Sequence, residues 1–186
     1  MVTENQIIEG CKSGKHNSFS MLYQKYAPTM LGICCRYCKT RPEAEDVLQE
    51  GFIKVFQKIG TYEGKGSFEG WLRRIMINTA INHFKANSKH YYHEDVELMN
   101  SITVNTDDEI LTFESEINQG QIIRLIQELP AGYNMIFNLY VVDGLSHSEI
   151  ANELDISINT SKSQLSKARK WLRNKLLIKE KLYSKL

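Results

Sequence analysis

The 186-residue sequence has no hydrophobic run approaching the roughly 20 residues that a membrane-spanning helix needs. Its first residues, Met-Val-Thr-Glu-Asn-Gln, have neither the basic nor the apolar segment of a secretory signal. These two absences predict a soluble, cytoplasmic protein. The sequence also has no glycine-rich phosphate loop, no Ser/His/Asp arrangement and no convincing pair of catalytic carboxylates. We therefore expect no catalytic residue, no cofactor and no small-molecule substrate.

The cysteines are few, and they do not form a recognisable metal site. Cys35 and Cys38 have the C-x-x-C spacing of zinc and redox sites, but no second ligand pair follows at zinc-finger spacing. The surrounding residues 31–38 are predicted to be helical, where cysteine behaves as a small buried hydrophobic residue. We interpret the cysteines as core residues and expect no metal. The alternative, a metal or thiol enzyme, predicts bound zinc or a thiol of low pKa, and it would use Cys34, Cys35, Cys38 and His16.

Acidic and basic residues are segregated along the chain. Residues 65–93 contain five basic residues and one acidic residue, whereas residues 94–118 contain eight acidic residues and no basic one. Nine of the ten basic residues in 119–186 follow Ser157. Two separate basic segments are typical of a protein that binds a polyanion such as nucleic acid. Between them, weak periodicity and many polar residues predict an acidic flexible linker over 91–117.

Apolar residues recur at helical spacings through most of the chain, and strand signals are few. The pattern predicts an all-α protein with two small domains, an N-terminal helical bundle over 1–90 and a C-terminal helix-turn-helix domain over 118–186. The predicted helices span 3–11, 18–38, 40–59, 67–86, 108–129, 132–142, 146–154 and the residues from 157 onward.

Several helix boundaries have specific signals. Thr40-x-x-Glu43 and Ser146-x-x-Glu149 are capping boxes that begin helices. Ser67 is a candidate N-cap. Pro28 is expected to bend or split the second helix, because proline lacks the amide hydrogen that an inner helical turn uses.

Residues 146–172 have the spacing of a helix-turn-helix motif, with a tight turn at Asp155-Ile156 between a short helix and a longer one. In such motifs the second helix lies in the major groove and its N-terminal residues contact base edges. The base-edge candidates are Asn159, Thr160, Lys162, Ser163 and Gln164. The cations further along suit phosphate contacts, and these are Lys167, Arg169, Lys170 and Arg173.

The chain resembles extracytoplasmic-function sigma factors of bacterial RNA polymerase from about residue 19 to about residue 176, and the resemblance is weak only in the acidic linker. The segments Glu128-Leu-Pro-x-Gly-Tyr, Val141-x-Asp-Gly-Leu-Ser-His-x-Glu-Ile-Ala and Ile156-Ser-x-x-Thr-x-Lys-Ser-x-Leu-x-Lys-Ala-Arg resemble region four, which reads the minus-thirty-five element of the promoter. Asp155 and Asn159 stand where the family often has glycine. Aspartate tolerates a left-handed backbone better than most residues, so the turn is expected to survive.

The N-terminal half resembles the same family independently. Residues 44–56, Ala-Glu-Asp-Val-Leu-Gln-Glu-Gly-Phe-Ile-Lys-Val-Phe, resemble the helix that docks on the clamp coiled coil of the largest polymerase subunit. The resemblance implies that Asp46, Gln49, Glu50 and Phe52 contact core polymerase. A helix with an apolar back and a carboxylate-amide front also suits a basic partner helix.

The segment Phe68-x-Gly-Trp-Leu-Arg-Arg-Ile-x-Ile-Asn-Thr-Ala-x-Asn resembles the minus-ten recognition segment. Its chemistry suits single-stranded DNA, because rings stack on bases, amides bond base edges and cations follow the backbone. We expect Trp71 to pack the domain rather than to touch DNA. The DNA-binding candidates are Tyr62, Lys65, Phe68, Arg73, Arg74, Asn78, Asn82 and Lys85. Four of them form a polar stripe that interrupts an otherwise apolar helix, because spacings of four, four and three place them on one face; these are Arg74, Asn78, Asn82 and Lys85.

The resemblance therefore implies a transcription initiation factor and not an enzyme. It implies a region 2-like domain over 1–90 and a region 4-like domain over 118–186, with core RNA polymerase, duplex and melted promoter DNA and an anti-sigma factor as partners. The alternative is a stand-alone helix-turn-helix regulator, which would bind an operator by itself, usually as a symmetric dimer. Such a regulator has no need for the helix of residues 44–59 or for Asn78 and Asn82.

Overall fold

The computed structural model describes residues 2–100 and 124–183, and it describes side chains for 2–87 and 124–176. These residues form helices and no strand, which confirms the predicted all-α class. The chain divides into two compact units, residues 1–85 and residues 86–186. Most of the predicted acidic linker, and the start of the helix predicted over 108–129, lie outside the described residues.

Four helices form the N-terminal unit. An N-cap side chain begins the first, third and fourth of them, and a short turn precedes the second. Thr3 and Gln6 form a capping box that the sequence analysis did not identify, and the predicted box of Thr40 and Glu43 is confirmed. The Ser67 hydroxyl oxygen accepts a hydrogen bond from the Gly70 amide at 3.1 Å, as an N-cap does. The helices are α1 (Glu4–Lys12), α2 (His16–Tyr37), α3 (Arg41–Lys58), which is followed by the 3-10 turn Ile59–Thr61, and α4 (Phe68–Asn100).

Two predicted helix boundaries differ from the structure. Helix α2 continues through Pro28 instead of splitting there. Pro28 and Gln24, whose carbonyl the proline leaves without its usual helical donor, are both exposed, so water can reach that carbonyl. Helix α4 was expected to end near Ala86 but continues to Asn100, so residues 91–100 of the predicted linker are helical. No glycine or proline between 87 and 100 stops the helix.

The core of the N-terminal unit lies where α2, α3 and α4 pack their apolar faces. Leu22, Val47 and Leu72 are fully buried there. Gly51 allows α3 to approach α4 closely, because a Cβ atom at this position would lie 2.3 Å from the sulfur of Met76. This close packing holds the outer faces of α3 and α4 in fixed positions.

After the end of α4, the described residues of the C-terminal unit resume with a helical turn at 124–127. The helix predicted over 132–142 is α-helical only to Phe137. It then becomes a π-helical turn, in which the Asp143 amide donates to the carbonyl of Asn138 at 3.0 Å, five residues back. The helices of this unit are α5 (Ala131–Phe137), with its π turn Asn138–Val142, α6 (His147–Leu154) and α7 (Ile158–Tyr183).

Helix α7 packs its apolar stripe onto the rest of the C-terminal unit. Leu129, Ala168 and Trp171 form a buried cluster. The buried amide of Asn134 donates a hydrogen bond to the Ile126 carbonyl at 2.7 Å, so α5 is tied to the preceding turn. None of the helices in the described residues combines the length and the apolar character that crossing a membrane requires.

Candidate polymerase and promoter interfaces

The outer side of α3 carries a polar surface that we call the acidic face, composed of Asp46, Gln49 and Glu50. All three residues are exposed, and their spacings of three and one place them on the same side of the helix. The opposite side of α3 is buried in the core through Val47 and Val55. The capping box at Thr40 fixes where α3 begins, and the burial of Val47 and Val55 decides which side faces outward.

Phe52 does not belong to this exposed surface. It was predicted to contact polymerase, but only 2% of the residue is accessible to solvent. Its ring packs against Tyr23 of α2 at 4.7 Å and against Phe56 at 5.8 Å between ring centroids. The prediction is corrected here, because a buried ring supports the helix from within and offers no surface to a partner.

Ile53 is the apolar residue that α3 does expose beside the acidic face. It is 56% exposed and lies seven residues after Asp46, which is two helical turns along the same side. Sequence reasoning missed Ile53, although the signal was present as an apolar residue at the spacing of the polar ones. Single exposed apolar residues are common on protein surfaces, so Ile53 is a candidate contact because of its position beside the acidic face and not because of its exposure alone.

Lys54 links the acidic face to α4. Its ammonium group lies 2.6 Å from Glu50 and 3.4 Å from the hydroxyl of Thr79. The Thr79 hydroxyl is buried and donates to the Ile75 carbonyl at 2.8 Å. The side chain of Glu50 is therefore positioned by a contact that reaches the helix carrying the DNA candidates.

Three rings, which we call the aromatic cluster, meet at the start of α4: Tyr62, Phe68 and Trp71. The ring centroids of Phe68 lie 5.0 Å from Tyr62 and 5.5 Å from Trp71. Tyr62 and Trp71 are half-buried, whereas Phe68 is buried, so the prediction that Phe68 contacts DNA is corrected to a supporting position. The Tyr62 hydroxyl donates to the Gly66 carbonyl at 2.9 Å and closes the loop before α4.

The predicted polar stripe of α4 (Arg74, Asn78, Asn82 and Lys85) is exposed along its whole length. The residues between its members, such as Ile77 and Ile81, are buried. Both asparagines therefore present their amide groups to solvent rather than to the core. Such groups donate and accept at once, which is what base edges require.

Two further candidate cations lie near the aromatic cluster. Arg73 is half-buried, and its burial, together with the charge of nearby Arg36, lowers the pKa of its guanidinium below the ordinary arginine value. Lys65 is exposed in the loop, where its ammonium group lies 2.6 Å from the Glu63 carboxylate. Arg73 is thus held against the fold, while Lys65 projects from it.

The helix-turn-helix turn has the backbone conformation that the sequence required. Asp155 ends α6 with φ 57° and ψ 47°, in the left-handed region, so the expectation for this residue is confirmed. The capping box of Ser146 and Glu149 at the start of α6 is also confirmed. The turn directs the chain into α7 two residues later.

The first turns of α7 expose most of the predicted DNA-binding residues. Thr160 is half-buried because its amide and hydroxyl both contact the Ser157 hydroxyl, at 2.9 and 2.8 Å, in an N-cap. Gln164 is half-buried as well. The exposed candidates are Asn159, Lys162, Ser163, Lys167, Arg169 and Lys170, whereas Arg173 is half-buried.

A stacked group of side chains supports α7 from behind. The rings of Tyr140 and His147 stack at 4.5 Å, and the Arg169 guanidinium lies over Tyr140 at 5.8 Å. His147 also contacts the buried hydroxyl of Ser161 at 2.9 Å. Arg169 is therefore positioned by an aromatic face on the π turn.

The cysteines lie in or beside buried parts of the N-terminal unit. Burial raises the pKa of Cys34 and of Cys38 to about 12, which is opposite to the direction a thiol nucleophile needs. Among the residues that the structure describes, no group of three or more histidine, cysteine, aspartate and glutamate side chains is arranged to hold a metal ion.

Comparison with known proteins identifies the family of this chain. The family model of Sigma-70 region 2 matches residues 22–90, and that of Sigma-70 region 4 matches residues 119–172. The ECF RNA polymerase sigma-E factor of Haemophilus influenzae is 30% identical over 182 residues, which cover 94% of this chain and 96% of that protein. The chain belongs to the extracytoplasmic-function (ECF) family of RNA polymerase sigma factors.

Further similarities support the family and the fold. The RNA polymerase sigma-H factor of Pseudomonas aeruginosa is 31% identical over 174 residues, covering 89% of this sigma factor and 90% of that protein. The sigma factor RpoE of Bartonella quintana, solved with the anti-sigma factor NepR, aligns with a TM-score of 0.50 and 19% identity, over 86% of this chain and 97% of that one. The similarity to RpoE of Bartonella quintana concerns the fold alone.

As an ECF sigma factor, the protein is a transcription initiation factor, and the stand-alone regulator is not favoured. The region 2 match includes the acidic face, the aromatic cluster and the polar stripe, and the region 4 match includes the helix-turn-helix motif.

Sequence reasoning missed several residues that position these surfaces. Glu4 and Tyr26 join α1 to α2, and His147 and Ser161 join α6 to α7. Each pair is too far apart in the chain for a periodic pattern to reveal it. The sequence signal for Ser161 was a polar residue four positions before Leu165, on the side of α7 that apolar residues bury.

Proposed function

We propose that this sigma factor binds core RNA polymerase through the acidic face of α3, with Ile53 as an apolar contact beside it. Two carboxylates and an amide complement a basic helix, and the buried Phe52 keeps α3 in position behind them. Charge complementarity of this kind orients a partner and speeds its association. The exposed isoleucine adds the apolar area that a stable protein interface requires.

The polar stripe and the aromatic cluster together form a surface suited to a melted promoter strand. Tyr62 offers a partly exposed ring face. Trp71, which the sequence led us to expect only in packing, is also half-buried and offers a second face. Stacking on such faces contributes about 1–3 kcal/mol per base. Asn78 and Asn82 bond base edges, and the cations Lys65, Arg73, Arg74 and Lys85 follow the phosphate backbone. Phe68 supports the two outer rings from the core rather than binding a base itself.

The C-terminal unit reads the duplex of the minus-thirty-five element through the first turns of α7. Asn159, Lys162 and Ser163 point into the major groove, with Thr160 and Gln164 beside them. Lys167, Arg169 and Lys170 contact phosphates and set the register of the helix on the duplex. Two reading units on one chain bind bivalently, so the connection between them sets the distance that the promoter elements span.

The domain organisation follows from these roles. A region 2-like domain over 1–90 and a region 4-like domain over 118–186 are joined by the acidic linker of 91–117. The protein makes no covalent change and acts on the polymerase in the cytoplasm. An anti-sigma factor that covers the acidic face or α7 would compete directly with polymerase or DNA.

One observation carries this proposal. Within a single helical unit, α3 exposes carboxylates while α4 exposes cations and amides, so one unit has separate surfaces for a basic protein and for DNA. The test is transcription from a promoter library by core polymerase with and without the purified protein. Asp46→Lys is expected to weaken core binding about tenfold, and Asn78→Ala is expected to slow open-complex formation about fivefold.

Matched variants separate these effects from general damage. Glu9→Lys reverses a carboxylate on α1, away from the acidic face, and should leave core binding unchanged. Asn87→Ala removes an exposed asparagine from the side of α4 opposite to Asn78 and should leave open-complex formation unchanged. Transcription without the protein, or DNA binding that never requires core polymerase, would contradict the proposal.

A further inference from the structure

One carboxylate oxygen of α1 accepts two hydrogen bonds from side chains of α2. The same Glu4 oxygen, Oε2, accepts hydrogen bonds from the Lys25 ammonium group at 2.8 Å and from the Tyr26 hydroxyl. The Lys25 ammonium group also lies 5.0 Å from the centroid of the Tyr26 ring. Helix α1 is therefore attached to α2 by a charged group that fixes the orientation of one tyrosine.

That tyrosine leads directly to the aromatic cluster. The Tyr26 ring packs edge-on against Phe68, with 5.7 Å between ring centroids. Phe68 in turn packs against Tyr62 and Trp71. A continuous series of contacts thus runs from Glu4 to the two rings that face solvent beside the polar stripe.

Burial shows that the middle of this series has little freedom to rotate. Tyr26 is 6% exposed and Phe68 is 2% exposed. The hydrogen bonds from Lys25 and Tyr26 lower the pKa of Glu4, and burial followed by the Glu4 carboxylate raises the pKa of Tyr26 to about 12. The carboxylate is therefore charged and the phenol neutral at neutral pH, so the tyrosine hydroxyl donates and Glu4 accepts.

We propose that Glu4 is a positioning residue for promoter melting, which holds the Tyr62 and Trp71 rings in the orientation that captures a melted base, through Tyr26 and Phe68. The ring of Phe68 touches both outer rings, so a turn of Tyr26 displaces the surface on which a base stacks. A base stacks on the face of a ring, so the orientation of the ring decides which surface the base meets. This inference rests on the proposed function, since it assigns a helix outside the DNA surface to the melting step.

The test compares open-complex formation by holoenzyme assembled from core polymerase and the full chain. Tyr26→Phe removes only the hydroxyl, and Glu4→Gln removes only the charge. The matched controls are Tyr23→Phe, an exposed tyrosine of the same helix, and Glu9→Gln, which removes a carboxylate from α1 that contacts Lys12. Each is measured on a duplex promoter and on the same promoter with a pre-melted minus-ten segment. Dependence on holoenzyme concentration separates initial binding from isomerisation.

Tyr26→Phe and Glu4→Gln are expected to slow isomerisation on duplex DNA by about tenfold, which is the lower end of the effect of losing one hydrogen bond to a charged group. Initial binding and core affinity should stay at the wild-type value, the pre-melted promoter should restore the rate, and both controls should behave as wild type. An unchanged isomerisation rate would overturn the inference. So would an equal loss on both templates, because that would mean the network only stabilises the fold. If the unmodified protein itself fails to start transcription with core polymerase, the proposed function is what fails.

Discussion

The Nδ1 atom of His147 lies 2.9 Å from the hydroxyl oxygen of Ser161, and Ser161 is fully buried. His147 is the first residue of α6, and Ser161 lies one turn into α7. This contact joins the two helices of the helix-turn-helix motif across the turn at Asp155. The orientation of α7 relative to α6 is therefore supported by a polar pair inside the motif.

The His147–Ser161 contact should show measurable coupling. In a double-mutant cycle with His147→Ala and Ser161→Ala, we expect a coupling energy of about 1 kcal/mol, typical of one hydrogen bond of a part-buried pair. Amide hydrogen exchange in α6 and α7 measures it. The control cycle uses Ser163→Ala, whose exposed hydroxyl donates to the Thr160 carbonyl instead. The loss of stability from Ser163→Ala should simply add to that from His147→Ala. Equal coupling energies in both cycles would contradict a specific contact between His147 and Ser161.

Replacing Asp155 by glycine should stabilise the C-terminal unit. The left-handed backbone at Asp155 costs a residue with a Cβ atom about 1 kcal/mol relative to glycine. Asp155→Gly should therefore raise the free energy of unfolding, but by less than that amount, because glycine also increases the entropy of the unfolded chain. Hydrogen exchange in α6 and α7 measures the change. The control, Asn152→Gly, lies inside α6 and should lower stability, because glycine there costs helix-forming free energy. Destabilisation by both variants would argue against strain at the turn.

Two lysines of α7 should affect DNA binding in different ways. Lys162→Ala, in the first turns, should alter preference among minus-thirty-five sequences by about 1–3 kcal/mol at one base pair. Lys170→Ala should weaken binding to every sequence alike and reduce the slope of log affinity against log salt by about 0.9. Fluorescence anisotropy of holoenzyme with duplex variants across a salt series measures both quantities. If both variants weakened binding to every sequence alike, neither lysine would read a base.

The stability of the N-terminal unit should fall at alkaline pH. Burial raises the pKa of Cys34, Cys38 and Tyr26 to about 12, above the ordinary values of 9.0 for cysteine and 10.0 for tyrosine. Because the unfolded chain ionises first, the stabilising contribution is complete below those ordinary values. It is lost as the pH rises towards about 12.

The buried thiol of Cys34 provides a specific check of this pH dependence. Cys34→Ala removes a group that ionises only in the unfolded chain over this range, so its loss of stability from about pH 8 to about pH 10 should be smaller than that of the wild type. Urea unfolding in reducing buffer measures the two losses. An equal loss in both proteins would assign the alkaline effect to other groups.

Local features of this protein were predictable from the sequence because the interactions that create them span only a few residues. The capping boxes at Thr40 and Ser146 each join residues three apart, and the structure contains both. The left-handed turn at Asp155 depends on one residue between two helices. The polar stripe of α4 follows from helical periodicity alone, and its members are exposed as predicted.

The tertiary structure decided which aromatic side chains are buried and which residues distant in the chain are in contact. Helical periodicity places Phe52 at the edge between the apolar and polar sides of α3, and its burial includes packing against Tyr23 of α2. Phe68 is buried for the same reason, by Tyr26. The contact between Glu4 and Tyr26 joins residues 22 apart. Such contacts depend on how helices cross, and crossing is set by the shape of whole packed faces rather than by any short stretch of sequence.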